Sequence, residues 1–180
     1  EMASKSGRGV YAITIEPLAL KSLIGLLNAL DKETANKVRD AAQPLSKRLA
    51  GQLYQFGSQS PTPQTKLVME SISTPRDRLV RVDIGGAKKV GRKYGGRASK
   101  SGKGNRVSQS AAPAGALLWG SEFGSQPGVD SIGRSYTNRF KANYKKSGYW
   151  IAPAVDFYIP ILAKEYTEMI KAVIKESRLN

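Results

Sequence analysis

The feature that most constrains this chain is a long cationic segment rich in glycine. Seven glycines lie between Gly85 and Gly104, and no acidic residue lies between Asp83 and Glu122. The basic residues of the segment are Lys88, Lys89, Arg92, Lys93, Arg97, Lys100, Lys103 and Arg106. It has no apolar periodicity, and fixing each residue costs about 1–2 kcal/mol of backbone entropy, so it cannot build a core of its own. We expect residues 85–112 to form a long flexible loop or an extended hairpin, named here the basic arm.

The positive charge of the chain is concentrated around this arm. Residues 84–148 carry thirteen basic and two acidic residues, whereas the formal net charge of the whole chain is +15. Because unscreened like charges oppose compaction, we expect the arm to contact a polyanion or an acidic surface. Charge alone leaves two alternatives open, namely nucleic-acid phosphates and the acidic surface of a protein partner.

The composition excludes several kinds of chemistry. The chain has no cysteine and no histidine, which removes disulfides, thiolate or imidazole metal ligands and imidazole acid–base catalysis. The basic arm does not match a phosphate-binding loop, because five residues separate Gly96 from Gly102 and Gly104 follows Lys103. No carboxylate pair has a catalytic arrangement. We therefore expect no enzymatic activity, no cofactor and no metal.

Length and hydropathy indicate one domain, residues 1–180, with the arm inserted in it. No apolar run reaches the ~20 residues that a membrane span needs, so we expect a soluble intracellular protein without a membrane partner.

The first half of the chain predicts a strand and a pair of helices. Residues 10–15 are rich in β-branched and aromatic side chains, which favours a strand. Pro17 suits the start of a first helix through Leu30. Asp31 offers an N-cap for a second helix that ends at Gly57, and Pro44 is expected to kink or divide it.

The second half predicts one more strand and a long terminal helix. Residues 66–72 fit either a helical turn or a strand, and residues 79–84 alternate like a half-buried strand. Residues 114–119 predict one helical turn that ends in the glycines at 120 and 124. From Pro153 an apolar stripe recurs at helical spacing to Ile174. The predicted fold is α+β, with a small antiparallel sheet packed against the N-terminal helix pair and the C-terminal helix.

Two aromatic pairs, Trp119–Phe123 and Tyr149–Trp150, are predicted to anchor the core. The glycines that flank Glu122 and Phe123 are expected to turn Phe123 inward and to place Glu122 at a turn. We expect Glu122 to pair with a basic residue of its own or a neighbouring subunit.

The order of these segments resembles one known family. A proline-bearing loop from Pro61 leads into Ser71-Ile72, followed by a strand and the basic arm. Glu122-Phe123-Gly124 comes next, and Gly148-Tyr149-Trp150-Ile151-Ala152-Pro153-Ala154 opens the last helix. The set resembles the tail-completion, or head–tail connector, family of long-tailed double-stranded DNA bacteriophages, over about residues 18–177.

The resemblance implies a non-enzymatic structural protein of the virion, made in the host cytoplasm. It would assemble with itself as a ring, often a hexamer, in the neck or upper tail through which the genome passes. Its partners would be neighbouring connector, stopper or tail proteins, and genomic DNA in the lumen. The resemblance marks Glu122, Phe123, Gly124, Trp150 and Pro153 as motif or interface residues. The alternative is a free cationic nucleic-acid-binding protein, associated with ribosomes or the nucleoid.

Overall fold

The computed structural model describes residues 10–15, 31–91, 99–100, 107–108, 112–129 and 131–178. Within these ranges the helices are α1 (Lys32–Ser58), α2 (Thr65–Met69), α3 (Ala114–Phe123) and α4 (Ile151–Arg178). The strands are β1 (Val10–Ile15), β2 (Val80–Gly85), β3 (Ser99–Lys100), β4 (Val107–Ser108), β5 (Gly128–Val129) and β6 (Ser135–Tyr136). They form three two-stranded sheets, β1–β2, β3–β4 and β5–β6. The predicted α+β class is confirmed, while the first helix of the predicted pair lies outside the described residues.

The chain divides into two compact units. One contains Leu53–Ile72 and Ile84–Pro153, and the other contains Ala12–Gln52, Ser73–Asp83 and Ala154–Asn180. We call the first unit the motif unit. It contains every segment between Pro61 and Pro153 that carries the family resemblance, apart from part of β2. The second is called the helical unit. That residues 1–180 form a single domain stays a prediction.

The helical unit buries the apolar stripe of α4. The side chains of Leu162, Tyr166 and Ile170 are fully buried, as are those of Val38 and Leu49 in α1. Burying one such side chain stabilises the fold by about 1.5–3 kcal/mol. The long helices pack together, and an ion pair between Arg48 of α1 and Glu165 of α4 crosses their exposed side.

Helix α1 begins where the sequence predicts and continues through its proline. The Asp31 carboxylate accepts hydrogen bonds from the backbone N–H and the hydroxyl of Thr34, at 2.7 and 2.9 Å. Pro44 lies inside a single helix of 27 residues, so the predicted division of this helix is wrong. A proline costs a helix interior about 3 kcal/mol. The burial of Val38, Ala42 and Leu49 on either side of it outweighs that cost.

Helix α3 is longer than the single turn that the sequence predicts. It extends over ten residues, because Gly120 lies within the helix and the helix ends at Gly124, whose φ is +70°. A side chain at Gly120 would overlap the ring of Phe140. This glycine therefore serves close packing, whereas Gly124 has a positive φ that favours glycine at the end of the helix.

The other predicted elements are present with small differences in their bounds. Residues 66–72, which fit either a helical turn or a strand, form most of the short helix α2 and a turn. The strand predicted over residues 79–84 is present as β2, one residue further along the chain. In the basic arm, β3 pairs with β4 in antiparallel register, Ser99 opposite Ser108 and Lys100 opposite Val107. That pairing is what an extended hairpin requires.

Candidate interaction site around the Glu-Phe-Gly motif

Glu122 occupies the last turn of α3 and lies almost wholly inside the motif unit, with 4% of its surface exposed. Its carboxylate accepts three backbone hydrogen bonds. Oε2 accepts from the N–H groups of Trp150 and Ile151 at 3.2 and 2.7 Å, and Oε1 accepts from the N–H of Ala152 at 2.9 Å. These donors belong to the start of α4, where the backbone N–H groups have no partner within the helix. Glu122 is therefore the N-terminal cap of α4, supplied from another helix, and no basic side chain in the described part of the chain forms an ion pair with it. Pairing with a neighbouring subunit stays a prediction.

Pro153 completes this arrangement. It is the third residue of α4, and a proline has no backbone N–H to satisfy. The first turn of α4 therefore presents three donors, and one carboxylate accepts from all of them. A negative charge at this end of a helix also interacts favourably with the helix dipole.

Gly148 allows the carboxylate to approach. Its φ is +73°, and a side chain here would overlap the carboxylate of Glu122. Beside it, the backbone N–H of Tyr149 donates to the carbonyl of Glu122 at 2.7 Å. The glycine before the last helix is thus a geometric requirement of the cap.

The environment of Glu122 acts on its ionisation in two directions. Burial raises the pKa of the Glu122 carboxyl above its ordinary value, since the charged form loses hydration. The three backbone donors and the charge of Lys145 lower that pKa and offset part of the effect.

The turn at Gly124, where α3 ends, is hydrogen-bonded to the loop of residues 138–145. The Phe123 carbonyl accepts from the N–H of Lys145 at 2.8 Å, and the Ala142 carbonyl accepts from the N–H of Ser125 at 2.9 Å. A side chain at Gly124 would overlap the backbone oxygen of Asn143. The whole motif is therefore packed against this loop.

Asn138 holds the same loop through all four hydrogen-bonding positions of its side-chain amide. Nδ2 donates to the carbonyls of Ser125 and Ala142, at 2.5 and 2.8 Å. Oδ1 accepts from the Ser125 hydroxyl and from the N–H of Phe140, at 2.7 and 3.0 Å. An amide used in full is positioned rigidly.

The aromatic side chains of the motif divide between the interior and the surface. Trp150 is fully buried, which confirms its predicted role as a core anchor. Trp119 is 57% exposed, so its predicted role as a core anchor is wrong. Its ring packs on Phe123 with the centroids 4.5 Å apart, and Phe123 is 6.5 Å from the ring of Tyr144. Phe123 is half-buried between two exposed rings rather than turned inward. Gly120 rather than Trp119 faces the ring of Phe140, so the side of α3 that carries Trp119 is left exposed.

The base of the basic arm is held by backbone hydrogen bonds. The N–H of Ala114 donates to the carbonyl of Lys88 at 2.8 Å, and the N–H of Val90 donates to the carbonyl of Ala112 at 3.0 Å. Lys89 forms an antiparallel bridge with Pro113. The ammonium of Lys88 donates to the carbonyl of Glu70. Of the predicted arm residues, Arg92, Lys93, Arg97, Lys103 and Arg106 lie outside the described residues, and Lys100 lies in β3.

Sequence reasoning assigned no site role to Asn138, Tyr144 or Gly148. Gly148 carried a signal, since a glycine three residues before the start of the last helix indicates a special backbone conformation. Asn138 and Tyr144 carried none, because their roles depend on contacts with α3 and the Gly124 turn.

The described part of the chain has neither a metal-binding cluster nor a membrane-spanning helix. In the ranges given above, no group of three or more acidic, histidine or cysteine side chains is arranged to hold a metal ion. Among the helices described, none is long and apolar enough to cross a membrane.

Comparison with known proteins finds no protein family, curated protein or solved structure that matches the chain.

Proposed function

We propose that this chain is a structural virion protein of the neck or upper tail of a long-tailed bacteriophage. In this role copies of the chain form a ring, a hexamer by the resemblance, that joins the DNA-filled head to the tail and lets the genome pass. The observation that carries the proposal is the order of segments that resembles the head–tail connector family. It gains support from the way in which two of those segments, Glu122-Phe123-Gly124 and the start of the last helix, depend on each other through the Glu122 cap.

The basic arm supplies the mechanism in this proposal. Its two ends are joined by hydrogen bonds between residues 86–91 and residues 112–115, so the arm begins and ends at a fixed base. They would contact either the genomic DNA in the lumen of the ring or an acidic surface of the adjoining ring.

A ring also suits the charge distribution. One arm makes a weak, salt-sensitive contact, whereas several arms around one axis act together and bind with avidity. Assembly on DNA or on an acidic ring would at the same time neutralise the repulsion between arms of neighbouring copies.

The second candidate is a free nucleic-acid-binding protein, favoured by the isoelectric point of about 10.1. It predicts submicromolar binding of the isolated protein to duplex DNA, with an affinity that falls steeply as salt is raised. The connector proposal predicts weak or no binding by one copy. A fluorescence-anisotropy titration over a series of salt concentrations separates the two.

The direct test of the connector proposal is electron microscopy of a lysate from a phage that encodes this chain, with the gene deleted. Packaged heads lying apart from finished tails are the expected result. Normal virions would overturn the proposal and leave the nucleic-acid-binding candidate.

A further inference from the structure

A second surface of the motif unit, separate from the basic arm, has the composition of a protein-binding site. Trp119 and Tyr144 are 57% and 53% exposed, and Phe123 lies between them in contact distance of Trp119. Tryptophan and tyrosine are the residues that most often dominate the binding energy of protein interfaces. Two exposed rings with a half-buried ring between them form an apolar surface in contact with water, which marks the row as an interaction site.

The neighbourhood of this aromatic row is cationic. Residues 131–149 contain five basic residues and no acidic one. Lys141, Lys145 and Lys146 are exposed, and the Lys145 ammonium lies 5.2 Å from the centroid of the Tyr149 ring. Glu122, the acid of the Glu-Phe-Gly motif, is turned inward to the start of α4 and does not offset this charge at the surface.

The elements that carry this surface are joined by internal hydrogen bonds. The Glu122 cap, the Gly124 turn and the Asn138 amide fix the elements that carry the three rings. A partner would therefore bind without first ordering this side, which lowers the entropic cost of association.

We infer that the aromatic row and its lysines form a docking surface for an acidic segment of a different protein, one that carries apolar side chains between its carboxylates. The rings would bury the apolar side chains, and Lys141, Lys145 and Lys146 would pair with the carboxylates. This inference stands whether or not the chain is a neck protein.

Charge complementarity argues for a different protein rather than a second copy of this chain. If two copies met through the same surface, their lysine clusters would face each other and repel. Five of the described acidic side chains on other surfaces are held in ion pairs of their own, while Asp156, Glu168 and Glu176 of α4 are exposed outside those pairs. These pairs are Asp40 with Arg76, Asp77 and Asp83 with Arg81, Glu33 with Lys37, and Glu165 with Arg48.

Ring geometry favours a protein segment over a nucleic acid. A stacking platform needs free, parallel ring faces on which bases can lie. The rings of Trp119 and Phe123 are 4.5 Å apart and tilted by 46°, which leaves no room for a base between them. Phe123 and Tyr144 are also tilted, by 34°.

The test is selection of a displayed random-peptide library on the full chain. The selection is repeated on the variants Trp119→Ala and Lys141→Glu/Lys146→Glu. Phe157→Ala, at an aromatic residue of α4 that is 62% exposed, and Lys171→Glu/Lys175→Glu are the matched controls. Thermal melts establish that all four variants are folded.

The expected result is a set of peptides rich in Asp and Glu with interspersed apolar residues. They should bind both surface variants at least about tenfold more weakly than the wild type and bind the controls with unchanged affinity. Peptides without an acidic bias, or equal binding to wild type and surface variants, would overturn the inference. Oligonucleotide binding that depends on Trp119 and Lys146, with no discriminating peptide, would replace it with a nucleic-acid site.

Discussion

The carboxylate of Glu122 accepts a 2.7 Å hydrogen bond from the backbone N–H of Ile151, the first residue of α4. This bond joins two segments that are 29 residues apart in sequence, the Glu-Phe-Gly motif and the start of the terminal helix. Glutamate in this motif is therefore explained by capping of a helix in the same chain.

Replacing Glu122 tests the cap. Glu122→Ala leaves three N–H groups at the start of α4 without an acceptor, and we expect it to lower the free energy of unfolding by about 2–4 kcal/mol. Urea denaturation followed by circular dichroism measures the change. The exposed Glu168 of α4 gives the control, and Glu168→Ala should change stability little. A loss for Glu122→Ala no larger than for the control would show that the cap does not stabilise the fold.

The glycine that admits the cap can be tested against another glycine of similar conformation. Gly148 and Gly133 have φ values of +73° and +78°, but a side chain would meet Glu122 only at Gly148. Gly133→Ala should cost about 1–2 kcal/mol from backbone strain alone, and Gly148→Ala should cost more because it displaces the carboxylate. Equal losses in urea denaturation would contradict the close approach of Glu122.

In the helical unit, Tyr166 predicts a loss of stability at high pH. Its hydroxyl donates to the carbonyl of Arg78 at 2.7 Å, and burial raises the pKa of Tyr166 above its ordinary value of 10.0. The neutral form is therefore favoured in the folded state, so this contribution is fully present below pH 10 and declines as pH rises above it.

Tyr166→Phe removes both the hydrogen bond and the titration. At pH 7 it should lower the free energy of unfolding by about 1–2 kcal/mol. Above pH 10 the difference between wild type and variant should narrow, because only the wild type loses the Tyr166 contribution. Urea denaturation at a series of pH values measures this difference, and a difference that stays constant up to pH 11 would contradict a raised pKa of Tyr166 in the folded state.

The two tryptophans should be distinguishable in solution. Trp119 is 57% exposed and Trp150 is fully buried, so acrylamide should quench one class of emission strongly and the other weakly. Trp119→Phe should remove the strongly quenched class and leave the weakly quenched one. If both classes survive in that variant, the tryptophan at 119 is not the exposed one.

The sequence was informative where local chemistry decides the structure. Asp31 before an apolar periodic segment marks the start of α1, and the stripe through Leu162, Tyr166 and Ile170 marks the buried side of α4. Both features depend on spacing of a few residues, which a sequence displays directly.

The sequence was misleading where a residue far away in the chain decides the local structure. Gly120 reads as a helix stop, but its place within α3 follows from the ring of Phe140, twenty residues away. Trp119 reads as a core residue, and only the orientation of α3 exposes it. The partners of Glu122 are backbone groups, which no pattern of side chains can reveal.

The structure also sharpens the test of the basic arm. Lys88 donates to the carbonyl of Glu70, so reversing its charge would disturb the folded unit as well as the arm. A variant that reverses Lys89, Arg92 and Lys93 alone changes the charge without removing that bond. Reversal of Lys164, Lys171 and Lys175, which are exposed on α4, is the control with the same change in net charge.

The measurement that tests the central functional claim most directly is the infectivity of phage in which the gene for this chain is replaced by each of these two variants. We predict that reversal of Lys89, Arg92 and Lys93 leaves the purified protein folded by thermal melting but abolishes infectivity, with heads and tails found apart. The α4 control should remain infectious. Full infectivity of the arm variant would contradict the claim that the charge of the arm joins head to tail.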